Sequence, residues 1–474
     1  MNDIGILGAA SYVPAARLSR QAIARAHAWA NPALSAEARG TRSYGFWDED
    51  SITMAVEAAR ACLKAAKDVT PERLVFASTT APFLDRANSA VVAEAAGLGP
   101  MIATLDSAGS LRAATSALRD ALEGRRRTLL VASDQRPAKP ASLQEMRYGD
   151  GAAAVLVGEG PVIARYLGGA SRVVDLVDHY RTVESRTDYA LEERWVRDEG
   201  ISKIVPAAIR DALAAASLQA SDIAMVAAPF APRLMSPALK AAGLDQVPLA
   251  DPLFNAIGDT GAPHPILMLC DMLQRAEPGT RILVIGFGQG VDALVFEVTD
   301  EVRNRRPAPA VEAWEADDNY LRFLSFRGEI RLDWGMRAER DNRTALSTFF
   351  RKRQAVTGFV GGHCTACGMH QFPKSRACVE CGAIDTQEDY SFADSVGRIK
   401  TFTEDWQAYT PAPPLVYGNV AFAEGGNLLM EITDFQGGIS VGQKVRMVFR
   451  IKDVDDRRGF RRYFWKAVAM AGEA

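Results

Sequence analysis

Four of the six cysteines in this sequence lie within 18 residues and are spaced as metal ligands. They form two Cys-x-x-Cys pairs, Cys364 with Cys367 and Cys378 with Cys381, and a glycine directly follows each pair. Two such turns place four thiolates tetrahedrally, which is the geometry that Zn(II) accepts without redox chemistry. Because four thiolates leave no coordination position for a substrate, we predict a structural zinc that holds together a segment too small to form its own core.

Two alternatives to zinc stay open for this cluster. The cysteines could be reduced structural residues that happen to share the spacing, or they could hold an iron centre of the rubredoxin type. His363 and His370 lie beside the pairs. With four thiolates available, we interpret both histidines as bystanders.

A second group of residues suited to chemistry is the segment 258–264, in which an acid and an imidazole flank a glycine-rich turn that opens a helix. Asp259 and His264 could form a hydrogen-bonded pair that removes a proton alpha to a carbonyl or hydrates a ketone. The alternative is a carboxylate that caps the helix and a histidine on the surface.

A third group combines segments 174–181 and 193–200, which concentrate ionisable and aromatic side chains. His179 is its best single candidate for acid–base catalysis, because the side-chain type that titrates near neutrality stands there between Asp178 and Tyr180. A charged, solvated helix face is the competing interpretation.

Length and composition limit the architecture that must position these residues. The chain has 474 residues and 48% of them are hydrophobic, which is enough for about two to four domains with cores of their own. Its net charge of −3 gives no overall field that would attract a polyanion, so a dedicated nucleic-acid-binding protein is disfavoured. The sequence has no apolar run of about 18 residues and no signal-peptide pattern, so we expect neither membrane insertion nor export, and a cytoplasmic location.

Residues 1–300 alternate short β-branched runs with amphipathic helices, the pattern of an α/β layered sheet. Three pairs of segments recur in the same order, namely 71–82 with 221–232, 118–133 with 269–286, and 149–159 with 288–298. A solenoid would need a shorter period and more copies. We therefore predict two duplicated halves, residues 1–165 and 166–300, that pack face to face.

The composition changes after residue 300. Residues 301–354 are charged and punctuated by proline, and we interpret them as a linker that contains a helix. The cysteine pairs define a zinc ribbon at 355–386, and the short alternating strands of 387–474 predict a small antiparallel barrel. Residues 457–466 interleave basic and aromatic side chains as single-strand nucleic-acid binders do, but an alternating barrel strand produces the same pattern.

Two larger sets of motifs carry a family resemblance. The first set comprises the helix start 49–55, the segment 106–115, the stretch 149–158, the turn 258–261 and the loop 286–290. Together these resemble the thiolase superfamily and look closest to hydroxymethylglutaryl-CoA synthase and the type-three ketoacyl synthases. Residues 345–470 resemble the zinc-ribbon/OB-fold family that accompanies thiolase-like acyl-CoA enzymes.

The resemblance implies a fold, a substrate class and an assembly. The fold would be α/β, a duplicated thiolase-like five-layered architecture followed by a small zinc ribbon and an all-β OB barrel. The substrate or product would be a coenzyme A thioester. The chain would pair as a homodimer.

The positions that carry the family's chemistry depart from its pattern. Where the family has a nucleophilic cysteine at a helix N-terminus, this chain has Leu111. Where synthases have a histidine two residues before a proline and an asparagine after a glycine, it has Ala227 and Asp259. The glutamate that serves as acid and base in hydroxymethylglutaryl-CoA synthase would fall between Thr79 and Ala81. Covalent acyl transfer by the family's usual route is therefore not expected.

No other residue takes over clearly as the nucleophile. Cys62 and Cys270 lie in apolar helical stretches, so we expect them to be buried structural thiols. Ser107 and Ser110 could act only beside a base, and helix capping explains a serine there equally well.

These observations leave two functions open. The first is an enzyme that makes or breaks a carbon–carbon bond beta to a thioester, on an acyl-CoA or 3-oxo acid, by Claisen, retro-Claisen or aldol-type chemistry. Its expected catalytic residues are Asp259, His264 and His179, and its expected substrate-binding residues are Ser110, Leu111, Gly258 and Gly288. The second is a catalytically silent scaffold or acyl-binding partner of an active thiolase. The glycine-rich loops favour the enzyme, because a scaffold has less need of close backbone approach to a ligand.

Overall fold

The structure is a computed structural model, and it describes residues 3–67, 69–190, 192–308, 314–334, 345–435, 437–455 and 457–470. The described residues form two compact units. The first unit comprises residues 1–45, 50–92 and 101–320, and the second comprises 46–49, 93–100 and 321–474. The finer division predicted near residue 165 stays a prediction.

Strands in the first unit are short and mostly buried. They are β1 (Ile4–Tyr12), β2 (Arg17–Ser19), β3 (Thr41–Ser43), β4 (Arg73–Ala77), β5 (Ala103–Ser107), β6 (Thr128–Gln135), β7 (Asp150–Glu159), β8 (Ala164–Val173), β9 (His179–Tyr180), β10 (Tyr189–Ala190), β11 (Met225–Ala227), β12 (Arg281–Phe287) and β13 (Gly290–Val298). Among the described residues, nine of them form one mixed sheet in the order β11-β12-β13-β8-β1-β7-β6-β4-β5.

Helices alternate with these strands along the chain. Up to residue 300 they are α1 (Arg20–His27), α2 (Ser51–Ala66), α3 (Asn88–Ala95), α4 (Ala113–Glu123), α5 (Leu143–Arg147), α6 (Glu193–Trp195), α7 (Val205–Ala215), α8 (Pro232–Ala241) and α9 (His264–Arg275). A π-helical segment, Val196–Ile204, connects α6 to α7. Within the described ranges, no helix combines the length and the apolarity needed to span a bilayer.

The sheet repeats one pairing pattern in the two predicted halves. Strand β4 runs parallel to β6, which pairs antiparallel with β7. In the same way β11 runs parallel to β12, which pairs antiparallel with β13. Strand β1 pairs with β8, at Gly5 with Arg165 and Ile6 with Ala164. The repeated pairing pattern is consistent with the predicted duplication, which stays a prediction, and the large mixed sheet confirms the α/β class.

Both faces of the central strands are buried. Ile282 and Val284 of β12 belong to one hydrophobic core, which also contains the inner faces of α4 and α9. Leu283 and Ile285 of the same strand belong to a second core, formed with α7 and α8. Because successive side chains of a strand point to opposite faces, a strand covered on both sides needs a continuous apolar run.

Helix α2 begins at a capping box, which explains why the chain turns helical there. The Asp50 carboxylate accepts hydrogen bonds from the backbone N–H groups of Ile52 and Thr53, both at 3.0 Å, and the Thr53 hydroxyl accepts one from the Asp50 N–H at 2.8 Å. Such a cap stabilises a helix by about 1 kcal/mol. It also fixes the start of the helix that packs on β1 and β7.

The second unit contains three short helices, a small sheet and a barrel. Its elements are α10 (Tyr320–Phe326), α11 (Leu346–Arg351), α12 (Arg353–Val356), β14 (Val360–Cys364), β15 (His370–Gln371), β16 (Gln387–Ser391), β17 (Gly397–Asp405), β18 (Leu415–Phe422), β19 (Asn427–Thr433), β20 (Lys444–Asp455) and β21 (Phe460–Ala469). In this described part, β15-β14-β16 form a three-stranded sheet and β17-β18-β19-β21-β20 close into a barrel.

The boundaries differ slightly from those expected. Strand β16 pairs with β14, so the small sheet extends past the predicted end of the ribbon at residue 386. The three helices occupy described parts of the predicted linker, and its segments 309–313 and 335–344 lie outside the described residues.

Strand β21 contains the interleaved basic and aromatic residues, and it directs two of its aromatic rings toward the barrel interior. Tyr463 and Trp465 are buried, and Trp465 stacks on Phe359 with ring centroids 5.5 Å apart. The ammonium group of the buried Lys466 lies 2.9 Å from a carboxylate oxygen of Asp48 and 2.9 Å from one of Glu431. This strand therefore completes the barrel core, and its buried cation is compensated by two acids.

Candidate active site and metal centre

The segment that begins α4 lies against the loop between β12 and β13. The Ser110 hydroxyl donates to the Gly288 carbonyl at 2.7 Å. A Cβ atom at Gly288 would stand 2.7 Å from that hydroxyl oxygen and 3.0 Å from the Leu111 nitrogen, so only glycine fits this contact. The structure thus brings together three of the expected substrate-binding residues, Ser110, Leu111 and Gly288.

Ser110 makes local hydrogen bonds only with backbone. Besides donating to Gly288, its oxygen accepts the backbone N–H of Arg112 at 3.2 Å. No histidine or carboxylate of the described residues is hydrogen-bonded to this hydroxyl. The contacts therefore support the structural interpretation of Ser110, in which it orders the start of the helix.

A buried acid that the sequence analysis missed holds the first turn of α4. Asp292 lies on β13 and is almost inaccessible to solvent. Its carboxylate accepts four hydrogen bonds, from Arg112 Nη1 (3.1 Å), Thr115 Oγ1 (2.9 Å), Ser116 Oγ (2.6 Å) and Ser171 Oγ (2.6 Å). The only sequence signal was a carboxylate inside the otherwise apolar run 291–296. Its charge neutralises Arg112 and is favourable at a helix N-terminus.

Asp259 stands on the turn before α9 and forms an ion pair. Its Oδ2 lies 2.6 Å from Arg136 Nη1, and its Oδ1 accepts the backbone N–H of Gly261 at 2.9 Å. Burial by itself raises the pKa of Asp259, but Arg136, His264 and the Gly261 N–H together outweigh this and hold that pKa below its usual range. Gly258 precedes it at φ +83°, where a Cβ would meet the Tyr148 carbonyl oxygen at 2.7 Å.

Arg136 is the centre of a buried charge cluster. Only 3% of its side chain is exposed, and besides Asp259 it contacts Asp188 at 3.2 Å. Its guanidinium carbon lies 3.4 Å from the centre of the Tyr148 ring. Burial opposes the positive charge, yet these neighbours together raise the pKa of Arg136. The sequence analysis missed Arg136, because it lies far along the chain from both acids.

His264 is also buried, but it does not pair with Asp259 as the sequence analysis predicted. Its Nδ1 accepts the backbone N–H of Thr260 at 3.2 Å, and its Nε2 lies 2.8 Å from the Pro252 carbonyl oxygen, to which it donates. Burial lowers the pKa of His264, so the ring is neutral near pH 7. The two side chains are not hydrogen-bonded to each other, because the carboxylate binds Arg136 and the ring nitrogens bind Thr260 and the Pro252 carbonyl. Their catalytic roles stay a prediction.

His179 forms an acid–histidine pair with its neighbour in sequence. Its Nδ1 lies 2.7 Å from Asp178 Oδ2, and both side chains are mostly buried. It lies on β9, which pairs with β10. From the same hairpin, Arg181 donates to the Thr79 carbonyl and binds Asp188 at 2.7 Å. This hairpin therefore joins the cluster around Arg136.

The two thiols of the first unit are poor nucleophiles. Cys62 and Cys270 are buried in α2 and α9, as the sequence analysis expected. Burial raises the pKa of Cys62 to about 12 and also raises that of Cys270. Because the thiolate is the reactive form, neither residue is suited to act as a nucleophile at neutral pH.

The four cysteines of the second unit converge on one point. Their sulfur atoms all lie within 4.8 Å of one another. Cys364 Sγ is 3.8 Å from Cys381 Sγ, and Cys367 Sγ is 3.6 Å from Cys378 Sγ. Four sulfurs bound at about 2.3 Å in a tetrahedron would be separated by nearly this distance. The cluster can therefore hold a metal ion.

Local backbone geometry forms both halves of this cluster. Gly368 and Gly382 adopt φ of +78° and +72°, which an L-residue with a side chain rarely does. Each donates its N–H to the carbonyl of the first cysteine of its pair, at 2.8 Å and 3.1 Å. The Thr386 hydroxyl, 3.2 Å from Cys364 Sγ, contributes most to lowering the pKa of that thiol to about 6.

Comparison with known proteins identifies relatives of part of the chain. A hydroxymethylglutaryl-CoA synthase of Pyrococcus horikoshii is 29% identical over 334 residues, which cover 66% of this chain and 91% of the relative. One of Pyrobaculum aerophilum is 27% identical over 355 residues, covering 70% and 99%. No protein-family model matches the chain.

Solved structures also align with roughly two thirds of this chain. The 3-oxoacyl-(acyl carrier protein) synthase III of Pseudomonas aeruginosa aligns with a TM-score of 0.55 and 21% identity, covering 63% of this chain and 99% of that one. A hydroxymethylglutaryl-CoA synthase complexed with CoA aligns with a TM-score of 0.57 and 17% identity, covering 72% and 95%. The matched part of the chain therefore has the thiolase-like fold of these two kinds of enzyme.

Proposed function

We propose that this protein is an acyl-CoA-dependent enzyme that forms or cleaves a carbon–carbon bond beta to a thioester, without attaching the acyl group to a cysteine. The observation that carries the proposal is the close approach of the Gly288 loop to residues 110–112 at the start of α4. This backbone arrangement suits a thioester carbonyl that is stabilised by N–H groups and needs no particular side chain. The similarity to hydroxymethylglutaryl-CoA synthases supports the substrate class.

Among the expected catalytic residues, His179 is the best candidate for the general base. Asp178 accepts a hydrogen bond from Nδ1–H and leaves Nε2 as the basic nitrogen, which is the arrangement of an oriented histidine base. Asp259 is less suitable because its ion pair with Arg136 favours the ionised, weakly basic form. His264 uses both ring nitrogens within the chain.

The proposed step needs no covalent intermediate. His179 Nε2 accepts the proton from the carbon alpha to the thioester, and the electron pair of that bond forms the enolate. The enolate carbon then bonds to the carbonyl carbon of a second substrate. In a Claisen condensation the C–S bond of that substrate breaks, and the leaving coenzyme A thiolate takes the proton from His179. In an aldol addition the new alkoxide takes that proton.

Replacing His179 with glutamine is expected to lower kcat by about a hundredfold with little change in KM, because the base acts in the chemical step. Turnover of acetyl-CoA with a panel of 3-oxo acids, and of 3-oxoacyl-CoAs, would be measured by chromatography of the products. Tyr180→Phe, on the same strand, is the matched control and should retain activity. Equal turnover by His179→Gln and the parent protein would refute the assignment of the base.

A silent scaffold is the second candidate, and one observation favours it. The charged groups near the start of α4 and the Asp259 turn are paired with each other, Arg112 with Asp292 and Arg136 with Asp259, rather than aimed at a ligand. A scaffold would show no turnover with any member of the panel, in the parent or the variants. It would also elute together with a separate, active thiolase from the same cells.

We further propose a homodimer that pairs β5 with its copy. This strand lies at the end of the sheet formed by the described residues, and an edge strand offers unpaired N–H and C=O groups to a partner. Leu105 in its middle is 51% exposed, and Leu84 and Met101 are also exposed. Such apolar exposure suits a surface that is covered in a dimer.

Replacing Leu105 with lysine is expected to convert the dimer to a monomer at micromolar concentration, because two like charges would face each other across the new pair of strands. Light scattering after size-exclusion chromatography gives the mass. Leu429→Lys, which changes an equally exposed leucine of the second unit, should leave the dimer intact. A monomeric parent protein would contradict the proposal.

For the second unit we propose a structural zinc and an OB-type barrel. Four thiolates at these separations match a closed zinc site, which the protein would use for folding rather than catalysis. The barrel order β17-β18-β19-β21-β20, with β19 parallel to β21, supports a five-stranded Greek-key barrel.

A further inference from the structure

A small cavity lies beside the loop that precedes Asp259, outside the groups assigned to the proposed reaction. Its volume is about 140 Å³. Val13, Leu253, Ile257 and Leu267 form apolar parts of its wall. A cavity of about 150 Å³ lined by apolar side chains is known to admit a molecule of the size of benzene. The space therefore suits a ligand of about six heavy atoms.

Arg17 gives this largely apolar cavity a positive charge. The residue lines the cavity and is only 6% exposed. Its Nη1 donates to two carbonyl oxygens, those of Pro14 and Ala16, and no carboxylate of the described residues pairs with it. Burial lowers the pKa of Arg17 to about 10, so the guanidinium is still charged near pH 7.

The other polar groups of the wall do not neutralise this charge. Asp271 is already paired with Arg275, one turn further along α9. Cys270 has a raised pKa and is a neutral thiol. A buried cation without a counter-ion is costly, and an anion in the cavity would relieve that cost.

We propose that this cavity is a binding site for a small monocarboxylate, with the Arg17 guanidinium as its counter-ion. The carboxylate would accept charge-assisted hydrogen bonds from Arg17, and the rest of the ligand would contact the apolar wall. Ligands of this class and size include short-chain fatty acids such as butyrate and isobutyrate. The site is independent of the proposed reaction, because none of the groups assigned to that reaction lines the cavity.

Titration calorimetry on the full-length protein tests the proposal with butyrate and isobutyrate against their neutral amides. We expect the carboxylates to bind and the amides to bind at least about tenfold more weakly, since the amides lose the charged hydrogen bond. Arg17→Met should weaken carboxylate binding by at least about tenfold, and Arg17→Lys should restore part of it. Arg172→Met, which removes an exposed arginine that does not line the cavity, should bind as the parent does.

A second variant keeps the test decisive if Arg17→Met does not fold. Val13→Phe enlarges a buried side chain of the cavity wall and leaves Arg17 in place, so it should abolish binding. No heat from either carboxylate, equal binding of acids and amides, or undiminished binding by Val13→Phe would overturn the proposal. The last result would place the carboxylate elsewhere on the protein.

Discussion

Replacing Arg136 with methionine is expected to lower the free energy of unfolding of the first unit by about 3–5 kcal/mol. Methionine has a similar length but no charge, so the substitution leaves Asp188 and Asp259 without their shared cation. Asp188 is only 4% exposed but keeps its ion pair with Arg181, whereas Asp259, which is 29% exposed, loses the arginine that holds its charge. The measurement is the shift of the unfolding transition in urea at pH 7.

The difference between Arg136→Met and the parent protein should shrink in acid. In the parent, the pKa of Asp259 is lower in the folded state than in the unfolded chain, so the ion pair stabilises the fold above the unfolded pKa. That contribution is lost as the pH falls through the folded pKa, below about 4. In the variant, protonation of Asp259 removes a negative charge that has lost its arginine, so acid lowers the stability of the variant less than that of the parent.

A matched control separates this buried pair from an ordinary surface pair. Arg172 and Asp211 are also an arginine and an aspartate in contact, at 2.6 Å, but both are about half exposed. Arg172→Met should change stability by less than about 1 kcal/mol. A loss of that same small size in Arg136→Met would show that the cluster is not held by its charges.

Sequence patterns predicted those features whose physical cause is local. The apolar runs of β6 and β12 and the hairpin-like segments after them reappear as equivalent antiparallel pairs, because period and turn residues determine where strands form. The cysteine spacing likewise predicted four converging sulfurs, since each Cys-x-x-Cys-Gly turn fixes its own geometry. In both cases the residues concerned are neighbours in sequence.

The features that sequence could not predict depend on distant parts of the chain. The spacing of five residues suggests a pair of Asp259 with His264, but the fold brings Arg136 to the carboxylate from the residue after β6. Residues 46–49 belong to the second unit although their neighbours belong to the first, and no local pattern marks them. The Asp48 carboxylate in this segment forms an ion pair with Lys466, which lies on the last strand of the barrel.

Chelation of the proposed zinc should unfold the sheet β15-β14-β16 and leave the first unit folded. Binding of a structural zinc contributes about 10 kcal/mol or more to such small modules, and this sheet has few residues with which to form a core without it. We expect one zinc per chain by elemental analysis. After chelation, proteolysis should cleave within residues 360–391 while circular dichroism retains the helical signal of the first unit.

Single substitutions test the same prediction without a chelator. Cys378→Ser removes one of four ligands and should abolish stoichiometric zinc and expose the same segment to protease, whereas Cys270→Ser removes a cysteine outside the cluster and should retain the metal. A rubredoxin-type iron centre would give a coloured protein with iron in place of zinc. Reduced structural cysteines would give no metal and no effect of chelation. The distances among the sulfurs favour a bound zinc, because four thiols without an ion would gain little from lying so close together.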